Sequence, residues 1–379
     1  MSLKFPRRSF LTTVGATFLV SGTASASKRT EINPVTLKGD LEEPVQPKHV
    51  KEERRRLVQQ YNLDDGTNFP LYSFENDSTK IVVGYGFSID NGVPVETVYK
   101  IPNIEGNSST GANRTQSRLE TQKSPPENDQ VDETIENFHS EIDQFEQGSR
   151  NSIINDDQVS TNQVGNPEPG WDKQGELNVA TAVHRTYYDG SSRQIGRIDL
   201  DSEVWKSMDE NRDSEDKYAC ALRGEMWPSK TIDHIGEPYY RNDYSHLIQD
   251  WDATMMGSPT ITESDPDNDE SESIDMTLSI TTSKSAGLTV DWQTPYISRS
   301  ETSQPDETVG WEFTYPWRAG SDARHDHIQL YCLGESWLDS SHREYDMILD
   351  TKFEGRFKKD NPEAEGDDTL HSPVRWNKL

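Results

Sequence analysis

The chain has 379 residues, of which 28% are charged and 31% hydrophobic, and its formal net charge is −29. A surface this acidic excludes a nucleic-acid partner, because neutralising phosphates requires a basic one. Nine Trp and fourteen Tyr exclude general disorder, which their low-hydrophobicity setting would otherwise suggest.

The first residues form a basic start, Lys4 with Arg7 and Arg8, an apolar stretch from Phe10 to Val20, and small residues ending at Ala26. That order predicts a cleavable export signal over 1–26. The apolar part is shorter than the roughly 20 residues a spanning helix needs. Arg7-Arg8-Ser9-Phe10-Leu11 matches the twin-arginine consensus, so the expected location is extracellular, with removal near Ala26. Residues 372–379 contain no apolar tail, and no stable membrane anchor is expected. Losing the signal makes the rest three charges more negative. The resulting self-repulsion is relieved in molar salt, where the Debye length falls to about 3 Å.

Signal and composition together resemble those of haloarchaeal proteins exported by the twin-arginine route. The run from Ser273 to Phe313 also resembles a type found among such exported proteins, with a Ser/Thr-rich strand leading to Trp292, Pro295-Tyr296 and Trp311-Glu312-Phe313. This resemblance implies β structure and no particular activity.

Residues 27–60 are polar and punctuated by Pro34, Pro44 and Pro47, which predicts a linker or pro-segment, with a short helix from Val50 to Asn62. In 61–104, β-rich runs flank Asn91-Gly92 and predict a hairpin whose second strand Pro94 puts at an edge. Residues 105–170 are a polar, flexible segment carrying two glycosylation sequons, at Asn107 and Asn113, with a third upstream at Asn76. Within that segment Val131, Ile135, Phe138, Ile142 and Phe145 recur at helical spacing and predict an amphipathic helix over 131–146 that docks on the main domain. From 171 to 357, period-two alternation between Gly, Asp and Ser turns predicts an all-β domain, followed by a polar tail over 358–379. The expected fold class is mainly β, an antiparallel β-sandwich-like domain with a polar, partly helical N-terminal region.

The candidate chemistry is sparse, and no catalytic residue is assigned: the Gly-x-Ser-x-Gly, P-loop, His-Glu-x-x-His and Cys-x-x-Cys patterns are all missing. Cys220 and Cys332 make a disulfide pair conceivable in an exported protein. His325 and His327 share a strand face and suit a divalent metal, with His342 the nearest third ligand. Asp265, Asp267, Asp269 and Glu270 imitate the start of a calcium loop, but Glu270 replaces its glycine. No cofactor is identified beyond this weak case for Ca2+ or another divalent metal. Aromatic and carboxylate groups crowd between Trp227 and Asp252; Trp227, Asp233, His234, Glu237, Tyr239, Tyr240, Asp250 and Trp251 are the candidate ligand-binding residues, as at sugar sites. The leading expectation is a non-enzymatic protein that binds a surface, glycan or protein partner. The alternatives are a secreted antagonistic protein, halocin-like or pore-forming, and an extracellular polymer hydrolase. For the pore-forming alternative, the alternating Ser/Thr-rich stretch from Ile274 to Val290 provides a membrane hairpin.

Overall fold

The β-rich runs on either side of Asn91-Gly92 become strands β3 (Lys80–Asp90) and β4 (Val93–Pro102), with Asp90 opposite Val93. Gly92 closes the turn at φ +87°, a left-handed conformation that a side chain resists. The structure, a computed structural model, describes residues 34–60, 68–74, 79–90, 92–103, 129–154, 166–167, 170–186, 192–212, 214–229, 231–232, 240–251, 260–265, 275–281, 287–293, 298–304, 308–315, 327–340, 346–359 and 365–378.

Strands, numbered along the chain, form two large sheets. The first runs β1 (Val35–Lys38), β3, β4, β6 (Trp171–Thr186), β7 (Ser192–Arg212), β8 (Glu215–Pro228), β15 (Ile328–Asp339) and β10 (Thr260–Asp265). The second runs β13 (Ser298–Gln304), β14 (Thr308–Thr314), β9 (Arg241–Asp250), β16 (Met347–Lys358), β17 (Glu365–Lys378) and β2 (Asn68–Tyr72). Their inner faces share one core that includes Leu200, Leu222, Leu247, Trp311, Phe353 and Phe357. Aromatic rings cross between the sheets where glycine leaves room. A Cβ on Gly196 would lie 2.5 Å from the Phe357 ring, and one on Gly224 would lie 2.9 Å from Phe353 and from Leu247. The mainly β, sandwich-like class expected from the alternation is the class observed.

Two particulars differ from expectation. β4 lies inside the first sheet, paired in parallel with β6 from Val95–Glu176 to Lys100–Thr181. Parallel neighbours need a crossover of a dozen or more residues, and the long polar stretch between β4 and β6 provides it. Pro94 precedes the first residue paired with β6, so its missing N–H costs no bond there. The crossover contains α2 (Asp129–Ile154), longer than the periodicity alone defines. Val131, Ile135, Phe138 and Ile142 are buried with Val83, Tyr99, Ile101, Ala180 and Ala182, in an apolar cluster separate from the main core. Polar contacts fix the helix at its margins: Arg197 Nη2 reaches Glu141 Oε2 at 2.8 Å, and Lys38 Nζ reaches Asp143 at 2.7 Å.

The polar composition of 27–60 and 358–379 predicts a linker and a tail. Instead, their few apolar residues fall at positions that bury. Val50, Leu57 and Val58 seat α1 (Pro47–Gln60), and Leu370 and Val374 seat β17. From α1, Arg54 enters the interior, where its guanidinium lies 2.6 Å from Glu96 and its Nε donates to Tyr85 Oη at 2.8 Å. The same pair grips strand β2 of the other sheet: Arg54 Nη2 donates to Tyr72 O at 3.0 Å, and Tyr72 N donates to Glu96 at 2.7 Å. One buried ion pair thus joins α1 to both sheets.

Candidate functional site

Strands β11 (Asp275–Thr281) and β12 (Gly287–Gln293) stand outside both large sheets and form a third with β5 (Asn166–Pro167). Their sequences, Asp-Met-Thr-Leu-Ser-Ile-Thr and Gly-Leu-Thr-Val-Asp-Trp-Gln, alternate without a break, and the antiparallel register matches like with like. Met276 pairs with Trp292, Leu278 with Val290 and Ile280 with Leu288; between them, Asp275 pairs with Gln293, Thr277 with Asp291 and Ser279 with Thr289. With the two-residue period of a strand, the apolar residues occupy one alternating set of register positions and the polar residues, with Gly287, the other. It packs along β15 and β10 at one side of the first sheet. On its other side, among the described residues, it pairs with the two residues of β5, Pro167 opposite Leu288 and Asn166 opposite Thr289.

A second candidate lies on the outer face of β7, β8 and β15, away from the core. There Trp227 stacks on His327 with ring centroids 3.6 Å apart and planes 17° apart. His327 Nε2 lies 2.7 Å from Glu225 Oε2, Gln329 Nε2 donates to Glu225 Oε1 at 3.0 Å, and Arg223 Nε donates to Asp201 at 2.6 Å. Burial pushes the Glu225 carboxyl up, but His327 and Arg223 outweigh it and leave its pKa below the ordinary value. Farther along β7, burial pushes Asp199 up to about 7 against the pull of Arg197, with Glu225 and Glu141 adding to the rise. This ladder of paired charges is absent from the sequence-based candidates. Its signal was the strict alternation Arg197, Asp199, Asp201, Glu203 with apolar or small residues between, which puts every charge on one strand face.

Of the ligand-binding candidates, only Trp227 belongs to this shelf. Tyr240 and Trp251 are fully buried core residues, not ligand faces, because the strand ends that carry them fold into the sandwich. Asp250 is taken up by Lys352 at 3.0 Å and Thr308 at 3.3 Å. Asp233, His234, Glu237 and Tyr239 lie outside the described residues, as do His325, His342, the sequon asparagines and the export signal with Arg7 and Arg8. His327 faces a carboxylate, and among the described residues no three His, Cys, Asp or Glu side chains converge as a metal site. Asp265 ends β10, and the rest of the calcium-like run lies outside the described residues. Cys220 and Cys332 are free, buried thiols rather than a disulfide. Cys220 pairs with Gly334 and Cys332 with Leu222, so the two are diagonal, and Gln249 Nε2 donates to Cys220 O at 3.0 Å from the opposite sheet.

No family model and no curated protein matches the sequence. Among solved structures, the fold is similar to Clostridium perfringens delta-toxin at 11% identity and a TM-score of 0.36, over 58% of this chain and 99% of that one. It is similar to a structure described as a pore forming protein at 8% identity and a TM-score of 0.28, over 56% and 93% of the two chains. The membrane-inserted form of the Clostridium perfringens NetB toxin matches at 6% identity and a TM-score of 0.24, over 53% and 94%. Likenesses this loose carry no argument about function.

Proposed function

We propose that this chain is an exported, membrane-active protein that permeabilises bilayers by inserting its β11–β12 hairpin. The observation that carries the reading is the register of that hairpin, in which every apolar side chain's position pairs with an apolar one and every polar position pairs with a polar one or, for Thr281, with Gly287. A membrane strand in a barrel requires this pattern, with lipid on one face and water on the other. Seven paired residues fall short of the nine to eleven that a tilted membrane strand needs. The alternation in sequence reaches one residue farther, to Ile274 before β11, and stops after β12 at Thr294-Pro295, so the inserted strands must draw their remaining length from the connection between β11 and β12. Trp292, near the open end of the hairpin, then falls toward the level of the headgroups, where aromatic residues collect in barrels.

A lone hairpin cannot stay in a bilayer, because its two open edges leave backbone groups unpaired in hydrocarbon at several kcal/mol each. Hairpins from several copies must therefore close a ring; the smallest barrels have about eight strands, so roughly four copies or more are required. The test is dye release from vesicles by purified protein in molar salt. Wild-type protein should release the dye. Leu278→Arg, which puts a charge on the lipid face at a cost of about 2–4 kcal/mol per copy, should not, while its circular dichroism stays that of the wild type. Wild-type protein inert toward vesicles of every composition tried would end the proposal.

A second reading, a binding role at the Trp227 shelf, is favoured by one observation: the Trp227 indole N–H is buried and meets no acceptor among the described residues. A glycan array read with wild type and Trp227→Ala tests it. Glycan capture that the substitution abolishes supports the shelf, and an empty array removes it.

A further inference from the structure

We infer that β5 is a strap that restrains the hairpin on the body of the protein and must let go before the hairpin can act; this rests on the membrane-active reading above. Among the described residues, the hairpin packs along β15 and β10 on the β11 side and pairs with β5 on the β12 side. The second attachment is built to be weak. β5 is only two residues long, and Pro167, opposite Leu288, has no N–H to give to a ladder. Yet the strap is firmly rooted on the body. Just beyond it Gly170 takes φ +119°, a turn conformation suited to glycine, and its carbonyl accepts the Met208 N–H at 2.8 Å before the chain enters β6 as Trp171. On its other side the same connection leads back to α2, which is anchored on the outer face of the first sheet. The crossover between β4 and β6 therefore does more than join two parallel strands: its last residues lie across β12. A short strand with one missing donor, fixed to the body and laid along an edge of β12 that has no other strand on it among the described residues, has the build of a releasable clasp.

The register allows a direct test. Asn166 and Thr289 are paired residues, so Asn166→Cys with Thr289→Cys puts two thiols across the strap, within disulfide range for neighbouring strands. Asp90 and Val93 are paired at the β3–β4 turn, so Asp90→Cys with Val93→Cys puts a staple in the body that involves neither the hairpin nor β5. Both proteins are oxidised with diamide, and bond formation is confirmed by the loss of two hydrogens in intact mass. Dye release from vesicles is then compared before and after dithiothreitol. The strap staple should lower release at least tenfold and recover with reductant, whereas the body staple should release dye in both states. Equal release from the oxidised strap staple and wild type would overturn the strap while leaving the membrane reading intact. If wild type itself releases nothing, the membrane reading fails, and the strap has no hairpin to restrain. Loss of release in both oxidised proteins would also overturn the strap, since a bond that leaves β5 free would then have the same effect.

Discussion

Arg54 and Glu96 are respectively 6% and 2% exposed, and each has hydrogen-bond partners that water cannot replace once α1 is in place. A buried pair of this kind contributes little net stability against an apolar alternative, but losing one member leaves an uncompensated charge in the core. Arg54→Met should therefore cost about 3–5 kcal/mol in denaturant unfolding in molar salt, and Arg54→Met with Glu96→Leu should cost less than the sum of the single changes. Asp199 makes a prediction of the opposite kind. Its folded pKa, pushed up by burial to about 7, lies above the value near 4 of an unfolded aspartate, so the native state binds the proton more tightly. Its contribution to stability is full below about pH 4 and is lost as pH rises toward 7. Across pH 5 to 7 the melting temperature of wild type should fall relative to that of Asp199→Asn. Parallel curves for the two proteins would show that Arg197 keeps the carboxylate ionised throughout.

Among the elements, the hairpin makes the sharpest claim, because its polar face includes Asp275 and Asp291. If that face lines a pore, the pore is acidic and prefers cations, and Asp291→Asn should reduce that preference in planar-bilayer reversal potentials without abolishing conductance. The elements also show what the sequence made legible. Asn91-Gly92 announced β3 and β4, and apolar spacings of three and four announced α2, because a local rule governs each. The ladder of β8 and β15 was half visible, as strand character without a partner. What could not be read was pairing at a distance. Nothing near Val95 says that its neighbour is Glu176, and nothing in the polar stretch 365–378 says that Leu370 and Val374 face a core already built by strands far upstream. The candidate site divided along the same line. Alternation in β11 and β12 was legible, and so was a hairpin. Their isolation from both sheets was not, and neither was the two-residue strap. Tyr240 and Trp251 misled because aromatic residues beside carboxylates look alike in a sequence whether they line a cleft or fill a core.

At the scale of the whole molecule, a net charge of −29 acts on every element at once. Exposed carboxylates repel one another across several ångströms in dilute buffer and are screened in concentrated salt, so the melting temperature should rise by several degrees between 0.1 and 3 M NaCl. A melting temperature that is flat or falling with salt would show that the acidic surface does not limit stability. The export reading has its own measurement. Arg7→Lys with Arg8→Lys should leave the protein inside the producing cell, whereas unchanged secretion would assign it to another route.

The pairing of β2 with β17 has one more consequence. Residues 302 positions apart, Ser73 and Arg375, are hydrogen-bonded where these strands meet. While the chain is being made, β2 emerges early and has no neighbour in its own sheet until translation has passed β17. For most of its synthesis the protein therefore carries a strand whose partner in its own sheet has not yet been made. Ribosome stalling just short of β17 should yield nascent chains that stay protease-sensitive throughout the second sheet, however well the first has formed.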